Sequence, residues 1–234
     1  MEEISVVGQV VGGKFGDIII RQKSGSNLEI GDLMVSEENG SYLILQVFAL
    51  EYGSQIQDKM QQMMSGVNLE QGIVDAQFFE PEFVNYVLAR IKPLARVYRE
   101  RGEVKIPKSL PPFFNKLRLI TKEDLHFLHK EKDAIFVGYI RSGSKVIKEA
   151  EVWLPAQDVF SHHVLIPATT GRGKSNLVKT ILWHVLDTNK VGALVLDAHD
   201  EYFGRQGIGL KDHSKAKDNL MYYTPSNPPV GANR

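Results

Sequence analysis

The stretch ATTGRGKSN, residues 168–176, decides how the second half of this chain is interpreted. It follows a short apolar run, Val164 to Ile166, and precedes a segment whose apolar residues recur at helical spacing. A glycine-rich turn between a strand and a helix points successive backbone N–H groups at one place, where the positive end of the helix dipole adds to them. Such a loop binds phosphate, so the stretch predicts a nucleoside triphosphate as ligand.

The residue types of the loop suit this ligand. Gly171 and Gly173 allow backbone conformations that a Cβ disfavours. Lys174 can place its ammonium group beside the β and γ phosphates, and the Ser175 hydroxyl can hold Mg²⁺. We therefore predict nucleotide contacts along residues 170–176, namely Thr170, Gly171, Arg172, Gly173, Lys174, Ser175 and Asn176.

One position departs from the pattern G-x-x-x-x-G-K-[ST], because Ala168 stands where the first glycine is expected. Alanine is the smallest change from glycine, because it adds only a Cβ. The alternative interpretation is an ordinary turn between a strand and a helix that happens to carry a lysine.

The flanking sequence predicts a βαβ unit. Apolar residues recur at helical spacing from Leu177 to Leu186, which leaves Lys179, His184 and Asp187 on the opposite side. A continuous apolar run from Val191 to Leu196 follows and is typical of a buried parallel strand.

The second predicted strand leads into DAHDEY, residues 197–202. Ligands of open α/β sheets bind beyond the carboxyl ends of the strands, so these side chains are expected to face the phosphate site. A carboxylate there can bind Mg²⁺ through water or orient the attacking water. The alternative is that Asp197 and Asp200 only cap the chain at a strand end.

Together, HVLIPATTGRGKSN (residues 163–176) and DAHDEY (residues 197–202) resemble the HerA family of hexameric DNA-translocating ATPases, in which the strand is followed by D-x-H-G-E-Y. The resemblance implies a small N-terminal barrel, the HAS-barrel, before a RecA-like P-loop motor. Pro111-Pro112-Phe113 is similar to the proline-rich segment between the two. The specific part of the resemblance is confined to residues 163 to 202.

The resemblance also implies chemistry and partners. ATP and Mg²⁺ are the implied cofactors, with catalytic roles for Lys174, Asp197 and Glu201 and metal contacts for Ser175 and Asp197. DNA is the implied substrate, and a hexameric ring is the implied assembly. A nuclease of NurA type, bound through the N-terminal barrel, is the implied partner in DNA-end resection and repair.

Four features differ from that family. Arg172 replaces a small serine, Asp200 replaces a glycine, and His162 replaces an arginine that would couple subunits. The chain also ends at Arg234, before the later acidic strand and the arginine finger of a motor domain. We therefore expect a fragment of a longer motor that is itself inactive.

Composition limits the class of protein. The 234 residues are 43% hydrophobic and 24% charged, with 28 basic and 28 acidic residues, which argues against a uniformly basic nucleic-acid coat. No apolar run approaches membrane-spanning length, so no membrane association is expected. The absence of cysteine excludes disulfides and cysteine-bound zinc, and it favours a cytoplasmic location.

The N-terminal region is predicted to be β, which gives an α/β chain with an all-β N-terminal part. Strands are predicted over Ile4 to Val11, Asp17 to Gln22, Leu33 to Ser36 and Tyr42 to Leu50. They favour a barrel with a helical insertion over residues 1–132, followed by the beginning of the ATPase domain over residues 133–234.

Smaller features complete the prediction. GGKFG, residues 12–16, is interpreted as a hairpin turn. Residues 54–70 are interpreted as a helix whose methionines are core, with a partner-binding groove as the alternative. Pro107 to Pro112 is the clearest linker, and Ala134 to Leu154 predicts a hairpin. A basic cluster over residues 96–108 is interpreted as a solvated face, with DNA contact as the alternative.

Two rival functions remain open. A phosphate loop also occurs in kinases and GTPases, although the nearest approach to the guanine-reading N-K-x-D motif, residues 189–192, lacks the aspartate. An adaptor that binds nucleotide without hydrolysing it is the second rival.

Overall fold

The computed structural model describes residues 5–71, 85–188, 190–205, 207–224, 227 and 232. The chain divides into two compact units. One comprises Met1–Phe127 with Arg141–Ile147, and the other comprises Leu128–Ile140 with Lys148–Arg234.

The first unit is a closed antiparallel barrel of six strands, which confirms the predicted barrel. The order around it is β2-β1-β7-β3-β4-β5, and β5 pairs with β2 to complete the circle. A short strand, β6, extends the sheet beside β5. The strands are β1 Val6–Lys14, β2 Asp17–Gln22, β3 Leu33–Glu38, β4 Ser41–Ser54, β5 Asn85–Tyr98, β6 Glu103–Lys105 and β7 Lys116–Leu119.

A tight turn joins β1 to β2. Lys14 pairs with Asp17, so Phe15 and Gly16 form a two-residue hairpin connection, with Gly16 at φ +83°. Turns of this length need positive φ to match the twist of the strands. The hairpin interpretation of residues 12–16 is confirmed.

Alternate side chains along the strands point inward and fill the barrel interior. Ile18 and Ile20 are almost completely buried, whereas the intervening Ile19 is not. Across the closing ladder, Ile18 lies opposite Ile91 and Ile20 opposite Ala89, so both strands send apolar side chains inward. The cluster around them comprises Val7, Val10, Ile18, Ile20, Leu28, Met34, Leu43, Leu45, Val47, Ala89, Ile91 and Leu117.

A buried ion pair lies beside this core. Arg118 on β7 donates two hydrogen bonds of 2.6 Å to the carboxylate of Asp124, and the two side chains are 9% and 5% exposed. The Thr121 N–H also donates to Asp124, at 2.8 Å, at the start of a 3₁₀ turn, Lys122–Leu125.

The buried Tyr42 hydroxyl donates to the Asp124 carbonyl oxygen at 2.5 Å. Burial raises the pKa of Tyr42 to about 12, and the nearby Asp124 carboxylate adds to the increase. The hydroxyl therefore stays protonated, and remains a donor, at neutral pH.

Two sequence interpretations of this unit are wrong. The insertion forms the predicted helix, α1 Asp58–Gln71, but Met60 and Met63 are 56% and 64% exposed, so they are not core. None of the α1 side chains that the structure describes is buried. Pro107 to Pro112 lies between β6 and β7, two strands of one sheet, so it is a connection within the barrel unit and not a linker.

The second unit contains one sheet of two strands. β8 Ala134–Ser142 and β9 Lys145–Pro155 form the predicted hairpin, and the turn at its tip, residues 141–147, is counted with the first unit. A small core of Ile135, Ala156 and Val185 follows. The helices are α2 Ala156–Phe160, α3 Lys174–Val185 and α4 Ala216–Asn219, with a 3₁₀ turn at Leu210–Asp212.

The parallel strands of the predicted βαβ unit are not formed. Residues 164–166 and 191–196 belong to no strand, and Leu165, Leu194 and Leu196 are 86%, 88% and 89% exposed. A strand requires hydrogen-bonding neighbours, and neither segment has one among the residues that the structure describes. The chain is therefore mixed α/β with a large β part, and among the described residues the helix of the predicted unit is present without its sheet.

Over the described ranges, no helix is long and apolar enough to cross a membrane.

Removing one partner of the buried ion pair is predicted to destabilise the barrel strongly. We expect Arg118→Met to lower the free energy of unfolding by about 3 to 5 kcal/mol, because the Asp124 carboxylate is left buried without its cation. The measurement is hydrogen exchange of the Ile120 amide, which donates to the Leu33 carbonyl at 2.9 Å in the barrel. Lys122→Met is the control, since the Lys122 and Glu123 side chains are 66% and 67% exposed and such pairs contribute less than about 1 kcal/mol. Equal losses in both variants would contradict the prediction.

The same pair predicts a pH dependence. Burial alone would raise the pKa of Asp124, but the hydrogen bonds from Arg118 and Thr121 outweigh it and hold the pKa below the ordinary 3.8. A lowered folded pKa gives stability that is present above 3.8 and is lost as the pH falls through the lower folded value. The difference in unfolding free energy between the wild type and Asp124→Asn should therefore shrink as the pH falls below 3.8. Glu100→Gln, at an exposed turn, should show no comparable trend.

Candidate nucleotide-binding site

The loop over residues 168–176 has the backbone of an anion cradle. Gly171 and Gly173 adopt φ +79° and +84°, in the left-handed region, and the Arg172 N–H donates to the Thr169 carbonyl at 3.2 Å. A Cβ built on either glycine meets no described atom within 4 Å. The two glycines are therefore required by conformation, and the space in front of them is open to a ligand.

Helix α3 begins directly after Gly173. The Leu177 N–H donates to the Gly173 carbonyl at 2.9 Å, and Gly173, as N-cap, gives no side-chain hydrogen bond to the first turn. The first N–H groups of a helix lack intrahelical acceptors, so here they remain available to an anion. The sequence prediction of this helix is confirmed, and the helix ends at Val185.

The predicted contact residues lie on this short segment. Lys174 and Asn176 are exposed and Ser175 is half-buried, at the first three positions of α3. Within the described ranges, the Lys174 ammonium has no recorded ion pair that would hold it away from the loop. Thr170 and Arg172 are also exposed.

The far end of α3 is anchored to the chain that follows. Leu186 and Asp187 carbonyls accept hydrogen bonds from the side chains of Asn219 and Lys215, at 2.9 and 3.0 Å. The rings of Trp183 and His213 meet edge to face at 4.8 Å. These contacts hold helix α3, which presents the loop. Residues 161–173, directly before the helix, form no strand.

One residue of α3 was placed wrongly from the sequence. His184 was expected on the polar side, but its ring packs against Phe136 and Trp153 at 5.7 and 5.4 Å. Burial lowers the pKa of the His184 imidazole, and the charge of Lys130 adds to this. A neutral imidazole can act as an aromatic surface, so helical spacing alone did not distinguish the two faces.

Asp197 has a structural partner in this arrangement. Its Oδ2 accepts the Tyr202 N–H at 2.9 Å, which closes the turn that carries Glu201. Burial raises the pKa of the Tyr202 hydroxyl, and the Asp197 and Glu201 carboxylates raise it further, so both acids lie near that ring. The capping role weighed from the sequence is therefore present for Asp197.

Among the described residues, no group of three or more His, Asp or Glu side chains is arranged to hold a metal ion. A Mg²⁺ ion in a phosphate loop needs few protein ligands, because phosphate oxygens and water supply most of them. The Ser175 hydroxyl at the start of α3 fits that role.

Comparison with known proteins finds relatives that include this region. Residues 135–232 match the family described as "Helicase HerA, central domain". Over these residues the chain is similar to the central domain of HerA helicases. The match covers the loop, helix α3 and the DAHDEY turn.

Curated relatives support the assignment at low identity. A probable helicase of Methanocaldococcus jannaschii is 25% identical over 210 residues, which are 84% of this chain and 38% of the relative. A second probable helicase of that organism is 36% identical over 128 residues, or 53% of this chain and 23% of the relative. A DNA double-strand break repair helicase HerA of Saccharolobus solfataricus is 28% identical over 145 residues, or 62% and 27%. The chain thus spans well under half the length of each of these relatives.

The structure explains one departure from the HerA motif. Asp200, which stands at the motif's glycine, adopts φ +54°, so the backbone conformation that favours glycine is kept. Its carboxylate contacts the Arg205 guanidinium and accepts the Tyr222 hydroxyl at 3.1 Å. Arg205 also donates to the Tyr222 hydroxyl at 3.0 Å. Its hydrogen bonds to Tyr222 and to Asp200 raise the pKa of Arg205, and the guanidinium balances the added negative charge locally.

The other departures remain exposed. The His162 Nδ1 lies 2.9 Å from the Ser161 hydroxyl and 2.9 Å from the Asp158 carbonyl, at the end of α2. Arg172 lies between the two glycines of the loop and is also exposed.

Sequence reasoning missed a close contact between two glycines after the motif. A Cβ on Gly209 would lie 2.3 Å from the Gly204 Cα, and one on Gly204 would lie 2.6 Å from the Gly209 Cα. The Leu210 N–H donates to the Tyr202 carbonyl at 3.0 Å across this contact. The signal in the sequence is GRQGIG, residues 204–209, whose three glycines permit the close approach.

The positive φ of Asp200 predicts that glycine is more stable than alanine at this position. The opposite order is expected at a control position inside a helix. We expect Asp200→Gly to be more stable than Asp200→Ala by about 1 kcal/mol, because alanine is strained in the left-handed region. At Asp218, in helix α4, glycine should instead be less stable than alanine by about 0.5 to 1 kcal/mol. The free energy of unfolding of this unit is measured by denaturation followed by tryptophan fluorescence, because Trp153 and Trp183 both lie in it. If the glycine and alanine variants rank in the same order of stability at both positions, the left-handed backbone conformation of Asp200 is contradicted.

Proposed function

We propose that this chain binds ATP with Mg²⁺ and supplies the first part of a HerA-type ATPase that moves DNA. The observation that carries the proposal is the open cradle at Gly171 and Gly173, followed at once by the uncapped N-terminus of α3 and the exposed Lys174. Oriented amides, a helix dipole and a full positive charge converge there, which suits a polyphosphate.

Each predicted residue has a defined task in this proposal. The N–H groups of residues 170–176 would bind phosphate oxygens, and the Lys174 ammonium would lie beside the β and γ phosphates. The Ser175 hydroxyl would hold Mg²⁺, which supplies positive charge against the triphosphate when it is bound.

The acidic residues would act at the edge of this site. The Asp197 Oδ2 accepts the Tyr202 N–H, so one oxygen holds the turn while the other can accept from a water molecule that solvates Mg²⁺. The exposed Glu201 carboxylate would orient the attacking water. We therefore assign Asp197 both a structural and a metal-directed role.

The cellular role is proposed from the relatives. Proteins named as probable helicases and as a DNA double-strand break repair helicase support a DNA translocase or helicase. We propose a ring of subunits, a hexamer by resemblance to HerA, because hydrolysis in such motors needs a neighbouring subunit to complete the site. A NurA-type nuclease partner and a cytoplasmic location complete the proposal.

Substitution of the loop lysine tests the nucleotide site. We expect Lys174→Ala to weaken binding of a fluorescent ATP analogue with Mg²⁺ by about 10- to 100-fold, because a charge-assisted contact to phosphate is lost. Lys190→Ala removes another exposed lysine of the same unit and should leave the affinity unchanged. Equal affinity in both variants would overturn the assignment of the loop.

The three candidate functions are separated by measuring phosphate release from ATP. The assay uses the full-length protein with and without duplex DNA. The translocase proposal expects hydrolysis that DNA stimulates and that Lys174→Ala abolishes. Hydrolysis that ignores DNA would favour another P-loop enzyme such as a kinase or GTPase. ATP binding without any release would favour a nucleotide-sensing adaptor.

A further inference from the structure

The turn over residues 197–205 carries three carboxylates within five positions, those of Asp197, Asp200 and Glu201. In the proposed function, Asp197 and Glu201 act on metal-bound water and on the attacking water. Both tasks depend on where the carboxylates point, because a small misplacement of a catalytic group lowers a rate strongly. The Glu201 side chain is exposed, so its position depends on the backbone that carries it.

Three side chains close a ring of hydrogen bonds on this turn. The Arg205 guanidinium donates through Nε to one oxygen of the Asp200 carboxylate and through Nη2 to the Tyr222 hydroxyl, the latter at 3.0 Å. The Tyr222 hydroxyl donates to the other carboxylate oxygen at 3.1 Å. A planar guanidinium directs its N–H groups in fixed directions, so it sets the carboxylate and the hydroxyl relative to each other.

The ring of hydrogen bonds is attached to a buried aromatic side chain. The Tyr222 ring lies 4.4 Å from the Phe203 ring, between centroids, and Phe203 is 5% exposed. Asp200 and Arg205 stand on either side of Glu201 and Phe203 along the chain. The ring therefore clamps the ends of the segment that carries the Glu201 carboxylate.

The turn is also tied to the helix that presents the phosphate loop. Lys179, on helix α3, donates through Nζ to the Ile208 carbonyl at 3.3 Å. Ile208 lies in the glycine-rich stretch 204–209, which folds back so that the Leu210 N–H donates to the Tyr202 carbonyl at 3.0 Å. A group that holds the turn therefore also holds it relative to helix α3.

We infer that Arg205 is a positioning residue that acts through Asp200 and Tyr222 to hold the turn in the conformation that presents Glu201 to the nucleotide. Asp200 is at φ +54°, a conformation that costs energy in any residue except glycine, and the ring of hydrogen bonds offsets that cost. A glycine takes this φ without strain, so the need for Arg205 comes with Asp200. The link to hydrolysis rests on the proposed function, whereas the hold on the turn does not.

Hydrogen exchange of the Tyr202 amide tests the hold on the turn without nucleotide. This N–H donates to Asp197 Oδ2, so it exchanges when the turn opens. We expect Tyr222→Phe, which keeps the ring and removes the hydroxyl, to speed the exchange by about 3- to 10-fold. Tyr223→Phe is the matched control and should leave the rate unchanged, because the Tyr223 side chain is 79% exposed and its hydroxyl makes a weak contact to Met221 Sδ at 3.6 Å. Equal exchange rates in the two variants would overturn the inference.

Phosphate release by the full-length protein tests the link to hydrolysis. Arg205→Met should lower kcat by about 10-fold, because Glu201 is no longer held in place. The KM for ATP should change by less than about 2-fold, since Lys174 and the phosphate loop are untouched. In an Asp200→Gly background the same substitution should lower kcat by less than about 2-fold, because glycine needs no clamp. An equal fall of kcat in both backgrounds would contradict action through Asp200.

The outcomes separate this inference from the proposed function. If the wild type releases no phosphate, the ATPase proposal fails and the role of Arg205 in hydrolysis fails with it, while fast exchange in Tyr222→Phe still supports the hold on the turn. If the wild type hydrolyses ATP and Arg205→Met has the same kcat, the inference alone is overturned. Weak binding of the ATP analogue by Arg205→Met, as expected for Lys174→Ala, would also overturn it, because a positioning residue of the turn leaves the phosphate loop intact.

Discussion

The ladder between β2 and β5 is the constraint on which the first unit depends. Without it the six strands would form an open sheet with two edges of unpaired backbone groups, whereas with it every strand has two neighbours. The ladder joins Ile18 to Ile91 and Ile20 to Ala89, so one set of hydrogen bonds also closes the apolar interior. In this ladder Arg21 lies opposite Leu88, two residues from Tyr86. The Arg21 guanidinium therefore stacks on the Tyr86 ring.

The same requirement for backbone partners explains the second unit. Its loop and helix α3 have the geometry of a phosphate site, yet the apolar runs on either side have no ladder among the residues that the structure describes. The helix is held from its other end, through Trp183, His213, Lys215 and Asn219. A phosphate loop is local in origin, since two positive-φ glycines and a helix N-terminus suffice to shape it. A parallel sheet depends on chain segments that are distant in sequence.

Comparison of the two units shows which sequence signals were reliable. Hairpins with short turns, such as β1–β2 and β8–β9, were predicted correctly because both strands and the turn lie within about twenty residues of one another. Strand β7 was not predicted, since four residues between a proline-rich segment and a 3₁₀ turn carry little periodicity. The methionines of α1 follow a helical spacing, but periodicity does not reveal whether another element covers that face. At the candidate site, the glycines, Lys174 and Ser175 could be recognised from the sequence, whereas the compensation of Asp200 by Arg205 and Tyr222 could not.

The sequence by itself determined the glycine-rich loop, the helix after it and the resemblance to HerA, because these depend on residues that are neighbours along the chain. The tertiary structure alone decided which charges are available. It paired Arg96, Arg99 and Lys105 with carboxylates. Electrostatic attraction depends on distance in space, and folding of the barrel brings together residues that are far apart along the chain, such as Arg96 and Glu38.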